Sequence, residues 1–402
     1  MAGLSLSLLL VAGLLAWWLL DDEPYEATPP SEPVAQVRPA LAAQTLRRFE
    51  QAVEDRDRRS ARELAPAGDQ RAAALLASVV DNARSLRVDD LTLRYVDEEG
   101  ALAPDGSWTA AVDATWRFAG FDDAPARAEV TLRFVDADDR VALTGVGDDG
   151  NRAPLWLSAP LQVRRTAGTL VMAAGSAAQA DAYARRATAA VPVVRRVLSD
   201  WRPRLVVEVP GSAAALDRAL AADPGRYANI AAVTTTVDGS VDPDAPVHVF
   251  VNPDVFGRLE PRGAQVVMSH EAVHVATDAA TSDLPLWLLE GFADYVALRD
   301  LDLPLSTTAG QVIDQVRRDG PPDHLPGSAE FDTTTTQLGA AYESAWLACR
   351  LLAQTGGEGA LLRLYRLVDG GRALGPALRA TFAMTPAELT RAWRRRLSDL
   401  AA

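Results

Sequence analysis

The hydrophobic positions of this chain change their period along its length, and each change marks a boundary. Residues 4–20 form an uncharged run that reaches Trp17 and Trp18 and then meets Asp21-Asp22-Glu23. That length is within range for a membrane-spanning helix. Residues 21–39 are rich in Pro, Glu and Ala with few large apolar side chains, which reads as an extended linker. Apolar positions then recur at helical spacing over residues 41–64 and 72–83. After these two helices the period becomes two. Leu91, Leu93 and Tyr95 share one face; Trp108, Val112, Ala114, Trp116 and Phe118 share another; Val130, Leu132 and Phe134 share a third. Shorter strands are expected at residues 140–146, 161–166 and 169–174.

The second half returns to long helices separated by short apolar runs. A helix is expected over residues 177–200, a strand at 205–209, a helix at 212–221 and strands at 230–237 and 247–251. Pro261-Arg262-Gly263 opens a helix in which Val266, Val267, Val273 and Ala276 recur at helical spacing. Asp283-Leu284-Pro285 opens the next, over residues 286–299, with Leu288, Leu289, Phe292, Val296 and Leu298. Helical spacing continues over residues 308–318, 338–353, 360–368 and 386–397, the last started by a capping box of Thr385 and Glu388. Residues 320–332 are a Gly/Pro-rich loop. The class is α+β, organised as an anchor (1–21), a linker (22–40), a helix-then-sheet module (41–174) and a larger domain (175–402).

Composition narrows the partners. A hydrophobic fraction of 48% in 402 residues is that of folded protein. A formal charge of −14 argues against nucleic acid, because phosphate recognition needs clustered basic side chains. All 40 basic residues are Arg and only Ile230 and Ile313 are Ile, which reads as the codon bias of a GC-rich, bacterial genome. One cysteine, Cys349, excludes an internal disulfide framework and reads as a packed small residue. The apolar run at residues 4–20 lacks the basic leader and small cleavage-site residues of a secretory signal, and its tryptophans suit a membrane interface. The expectation is an uncleaved single-pass anchor in the cell membrane with the following domains outside the cytoplasm.

The chemistry is concentrated in one pentapeptide. Of four histidines, two stand in His270-Glu271-Ala272-Val273-His274. Four residues apart on a helix, they face the same side and can bind one zinc ion, with Glu271 as general base. A catalytic zinc site normally has three protein ligands and an open position. Glu290, one turn inside the next helix, is the candidate third ligand. Asp294, one turn further on the same face, can take the second ring N–H of a ligating histidine. Gly291 would let the two helices approach closely. Asp278 and Asp283 compete with Glu290, but neither has a partner one turn away.

With His270, Glu271, His274, Glu290 and Asp294 in place, the chain resembles the gluzincin zinc metallopeptidases of the MA clan. The separation from His274 to Glu290 is shorter than in the best-known members. The resemblance implies a two-lobed metallopeptidase domain with a mainly helical C-terminal lobe, Zn2+ as cofactor and a peptide or protein as substrate. Glu271 would take a proton from the zinc-bound water, whose pKa falls to roughly 7, and return it to the leaving amine. A Tyr or His often stabilises the oxyanion in such enzymes, and Tyr342 is the candidate here, with His324 behind it. The strand before the zinc helix lies at the cleft edge in that family, which points to residues 247–251 as a substrate-pairing strand carrying His248 as decoration. The helix-then-sheet module looks like the cone-shaped NTF2-like fold, with a hydrophobic core around Trp108, Trp116 and Phe118 and a role in positioning the peptidase or contacting a partner protein. Endo- and exopeptidase activity are not distinguished. The alternatives are a catalytically silent scaffold that keeps the zinc fold, and a zinc hydrolase of a nonpeptide amide.

Overall fold

The computed structural model describes residues 37–402, apart from 138, 148–151 and 333–336. The expected anchor at 1–21 and nearly all of the linker at 22–40 lie outside the described residues. Among the described residues, no helix is long and apolar enough to cross a membrane. The fold is α+β, with 15 α-helices and two sheets among the described residues.

The expected helix over 41–64 is two helices, α1 (Pro39–Glu54) and α2 (Arg58–Glu63). Between them Arg56 adopts a left-handed φ of 58°, and the Asp57 side chain accepts from the Arg59 and Ser60 amides to start the second helix. Residues 54–60 carry no apolar side chain, and the apolar positions on either side, Val53 and Ala61, are eight apart and stay in helical phase, so the break does not show as a change of period. α3 (Gln70–Leu86) follows, capped by Asp69. Next comes an antiparallel meander, β1 (Val88–Glu99), β2 (Ser107–Phe118), β3 (Ala126–Ala137) and β4 (Arg140–Val146), paired in that order. Its inner face and helices α1 and α3 bury one core with Leu46, Phe49, Leu76, Trp108, Trp116, Phe118 and Phe134. The tryptophans are core residues, as expected: Trp108 stacks on Phe134 and Trp116 lies against Trp156.

After α4 (Leu155–Ser158) the chain builds the second sheet from β5 (Gln162–Arg165), β6 (Thr169–Ala173), β7 (Leu205–Val209), β8 (Ala232–Thr236) and β9 (Val247–Val251), with α5 (Ala177–Arg195) after β6 and α6 (Ala213–Ala219) after β7. The order is β5-β6-β7-β9-β8; β6, β7 and β9 are parallel, and β5 and β8 run antiparallel at the two edges. Two expectations need correction. The strands near 161–166 and 169–174 join this sheet rather than the first module's. The strand at 247–251 is interior, and β8 is the edge. For β6 and β9 the cause is that the strand is largely apolar on both faces, as parallel strands are, so the pattern carries no record of the neighbouring strand, and β5 follows β6 by pairing with it. On β6 and β7, Leu170, Met172 and Val206 face the first core, whereas Val171, Ala173, Leu205 and Val207 face the second. Residues 37–402 therefore make one compact unit around two cores that share a sheet.

Across that shared boundary runs a buried ionic cluster. His248 on β9 is fully buried, with Nδ1 2.7 Å from Glu208 on β7 and Nε2 3.0 Å from Asp122 in the turn after β2. Asp122 also accepts from the Phe118 amide, and the Phe118 ring stacks on His248. Burial alone would depress the imidazole, but the two carboxylates outweigh it and its pKa is pushed up to about 9.

The rest is helical: α7 (Pro253–Phe256), α8 (Pro261–Ala276), a 3-10 turn (Ala279–Thr281), α9 (Leu286–Leu298), α10 (Leu305–Thr308), α11 (Gly310–Asp319), α12 (Leu338–Gly356), α13 (Glu358–Asp369), α14 (Leu374–Phe382) and α15 (Pro386–Ala401). Helix α14 was not foreseen. Helix α8 packs between α5, the β8–β9 edge of the sheet and α9, while α9 packs between α8 and α12. The close approach at Gly291, expected between α8 and α9, is made instead to α12, where an added Cβ would stand 2.3 Å from the Ala345 carbonyl oxygen. That approach sets the distance from α9 to the helix that carries Tyr342.

Candidate metal centre

Pro261 starts α8 at a position where its missing N–H costs nothing, and the helix then runs unbroken through the pentapeptide. His270, Glu271 and His274 are all buried, and the two imidazoles meet edge to face with ring centroids 4.6 Å apart. Helix α9 lies alongside and presents Glu290 and Asp294 from successive turns. These clamp the His270 ring: Nδ1 donates to Asp294 Oδ1 at 2.8 Å, and Nε2 stands 3.1 Å from Glu290 Oε2. His274 Nε2 closes a triangle, 2.9 Å from His270 Nε2 and 3.2 Å from Glu290 Oε2.

The chemistry of this triangle is specific. With the His270 proton held at Nδ1 by Asp294, the neutral ring turns a lone pair toward a carboxylate oxygen and a second imidazole nitrogen. Three acceptors at contact distance repel one another unless positive charge lies among them. A single proton can bridge one edge of the triangle; a divalent cation engages all three lone pairs together. The edges also fit, because metal–nitrogen bonds of about 2.0–2.1 Å in tetrahedral geometry separate neighbouring ligands by about 3.3 Å. Among the described residues, His270, His274 and Glu290 form the one cluster of three such side chains with converging ligand atoms. The electrostatics favour positive charge at this point. Burial opposes charge on both groups, yet Asp294 and Glu290 raise the His270 pKa well above its ordinary value, and the two histidines hold Glu290 well below the usual carboxylate range. His274 Nδ1, by contrast, is buried with no hydrogen-bond partner among the described residues. Only His270 has its Nδ1 held by a carboxylate.

Glu271 is not part of the triangle. Its Oε2 accepts a 2.6 Å hydrogen bond from the Thr234 hydroxyl on β8. Tyr342 on α12 lies over the site, its ring edge-on to His270 at 6.0 Å and packed on the other side by Phe331 at 5.1 Å. Burial, and then the charges of Glu290, Glu271 and Asp294, push its phenol well above the ordinary range, so it remains a donor. The structure thus brings together His270, Glu271, His274, Glu290, Asp294 and Tyr342. His324 is not among them: its side chain is exposed beside Glu330. Asp278 and Asp283 are exposed and outside the cluster.

Two features escaped the sequence reading. Thr234 lies in a run of threonines at 234–236 with no mark to separate the one that faces α8. His248 and Glu208 did leave a signal, each being a lone ionisable residue inside an otherwise apolar strand, and such a pair is costly to bury singly. Comparison of the chain with protein-family models, with curated proteins and with solved structures finds no match.

Proposed function

We propose that this chain is a zinc-dependent hydrolase of peptide bonds, with Glu271 as its general base. The observation that carries the reading is the convergence of His270 Nε2, His274 Nε2 and Glu290 Oε2 on one point, with Glu271 on the same buried helix next to His270. Two imidazoles and one carboxylate suit zinc among the available divalent ions. When bound, zinc supplies a Lewis acid that makes water a stronger acid and a carbonyl a better electrophile.

The remaining work falls to the chain's own groups. Glu271 accepts a proton from the attacking water and passes it to the departing amine, so the carboxylate ends the cycle as it began. Asp294 fixes the His270 tautomer and ring plane. Tyr342, kept neutral, donates toward the oxygen that becomes negative as the carbonyl is attacked. An extended peptide has a place to lie, because no strand among the described residues pairs with the outer edge of β8. Backbone pairing there would bring the scissile bond past Thr234 and Glu271.

The architecture supports a gluzincin-like two-lobed domain, in which sheet, α5 and α8 form one lobe and the helices from α9 onward the other. It also supports an NTF2-like module in the helices and meander before it, serving as a positioning or partner-binding element. The apolar run at residues 4–20 supports a single-pass anchor with the site outside the cytoplasm. The alternatives remain a silent zinc-fold scaffold and hydrolysis of a nonpeptide amide. A quenched peptide library, digested by wild type and by Glu271→Gln with and without chelator, separates these. Chelator-sensitive cleavage by wild type alone supports the peptidase, and equal activity in the two proteins overturns it. Metal binding without cleavage of any library member supports the alternatives.

A further inference from the structure

Hydrolysis by a carboxylate base depends on which oxygen of the carboxylate is free and where it points. Glu271 is 6% exposed, and the polar contact to its side chain comes from the neighbouring strand rather than from its own helix. Thr234 stands opposite Val249 in the β8–β9 ladder, and the alternation of the strand places Ala232 and Thr234 on the face turned to α8, whereas Val233 packs on the other side with Phe250 and Leu216. Its hydroxyl is 2.6 Å from Glu271 Oε2 and 3.3 Å from the Glu271 carbonyl oxygen. A threonine hydroxyl has one proton to give, and the shorter contact to the charged oxygen takes it.

We propose that Thr234 is a positioning residue for Glu271: it occupies Oε2 and so leaves Oε1 as the oxygen that receives the water proton. The inference rests on the peptidase reading above. It adds a link that the ligand set does not contain, because the residue that orients the base is on the same edge strand that would pair with extended substrate. A carboxylate free to rotate between the two oxygens would spend part of its time misdirected, and misplacement of about 1 Å can cost on the order of 100-fold in rate.

The test compares Thr234→Val, which keeps the branched shape and removes the donor, with Thr234→Ser, which keeps the donor. In the zinc-loaded full chain, Thr234→Val is expected to lower kcat on a cleaved library peptide about 10- to 100-fold with KM within about 2-fold and zinc content unchanged. Thr234→Ser is expected to recover kcat to within about 3-fold. A crystal structure of Thr234→Val should show the Glu271 carboxylate turned from its wild-type orientation. An unmoved carboxylate, an unchanged kcat, or a serine variant as slow as the valine variant overturns the proposal. The underlying reading fails in a different way, through a wild-type protein that binds no zinc or a Glu271→Gln variant that cleaves as fast as wild type, and the orientation of Glu271 in the valine variant is readable in either case.

Discussion

Two buried histidine–carboxylate clusters stand in this molecule, and they have opposite geometry. At His248 the two ring nitrogens diverge, each to its own carboxylate, so that one imidazolium uses both of its N–H groups, one on Asp122 and one on Glu208. At His270 one nitrogen is used the same way, on Asp294, but the other converges with His274 and Glu290 on a common point. The first arrangement stores its positive charge in the ring. The second leaves lone pairs facing each other, and that is the arrangement a metal site requires. Residue types alone do not separate the two, since both are His with Asp and Glu; the direction of the nitrogens does.

The comparison yields ordered expectations. The largest concerns Glu271→Gln, which should lower peptide hydrolysis by about 10²- to 10⁴-fold while retaining zinc, because it removes the base and leaves the triangle intact. The reverse substitution pattern belongs to the other cluster. His248→Ala should destabilise the fold by about 3–5 kcal/mol in denaturant melts, since two buried carboxylates lose their counter-charge, yet the folded fraction should still bind zinc. Asp294→Asn should weaken zinc affinity about 10- to 100-fold in a competition titration, because a ligand's orienting partner is altered and not the ligand itself. Asp283→Ala should leave that affinity unchanged. Gly291→Ala should cost about 1–3 kcal/mol through overpacking against the Ala345 carbonyl, with α9 displaced from α12.

A further effect is one of pH. The His248 pKa is raised from 6.5 to about 9 on folding, so its contribution to stability is complete below pH 6.5 and is lost as pH rises through 9. The charges facing the cluster include Arg117 and Arg165 toward Asp122 and Arg152 toward Glu208. Thermal melts should therefore fall across this window in wild type, and Asp122→Asn should move the fall to lower pH. A melting temperature that is flat from pH 6.5 to 9 would contradict the ionic reading of His248.

Much of the centre was legible because helical spacing is a geometric statement. His270 and His274 four apart, and Glu290 and Asp294 four apart, each define one face, and two such faces meet when their helices pack. The sheet was less legible. In β6, β7 and β9 the apolar residues run without alternation, so their order, and with it the identity of the edge strand, is set by tertiary packing that the pattern does not encode. The break at Arg56 falls in the polar stretch 54–60, and it was hidden because Val53 and Ala61 on its two sides keep the same helical phase. Glu208 and His248 were visible as anomalies in apolar strands, but their pairing, and the reach to Asp122 from another sheet, depends on the β7–β9 neighbourhood that the strand pattern could not supply.

The most direct test is a zinc titration of the metal-free full chain against a competing chromophoric chelator, run in parallel for wild type, the His270→Ala/His274→Ala double variant and His248→Ala. Wild type and folded His248→Ala should each bind about one zinc per chain with similar affinity, and the double variant none in the same range. A wild type that binds no zinc, or a His248 variant that loses zinc as fully as the double variant, would contradict the assignment of the metal site to His270, His274 and Glu290.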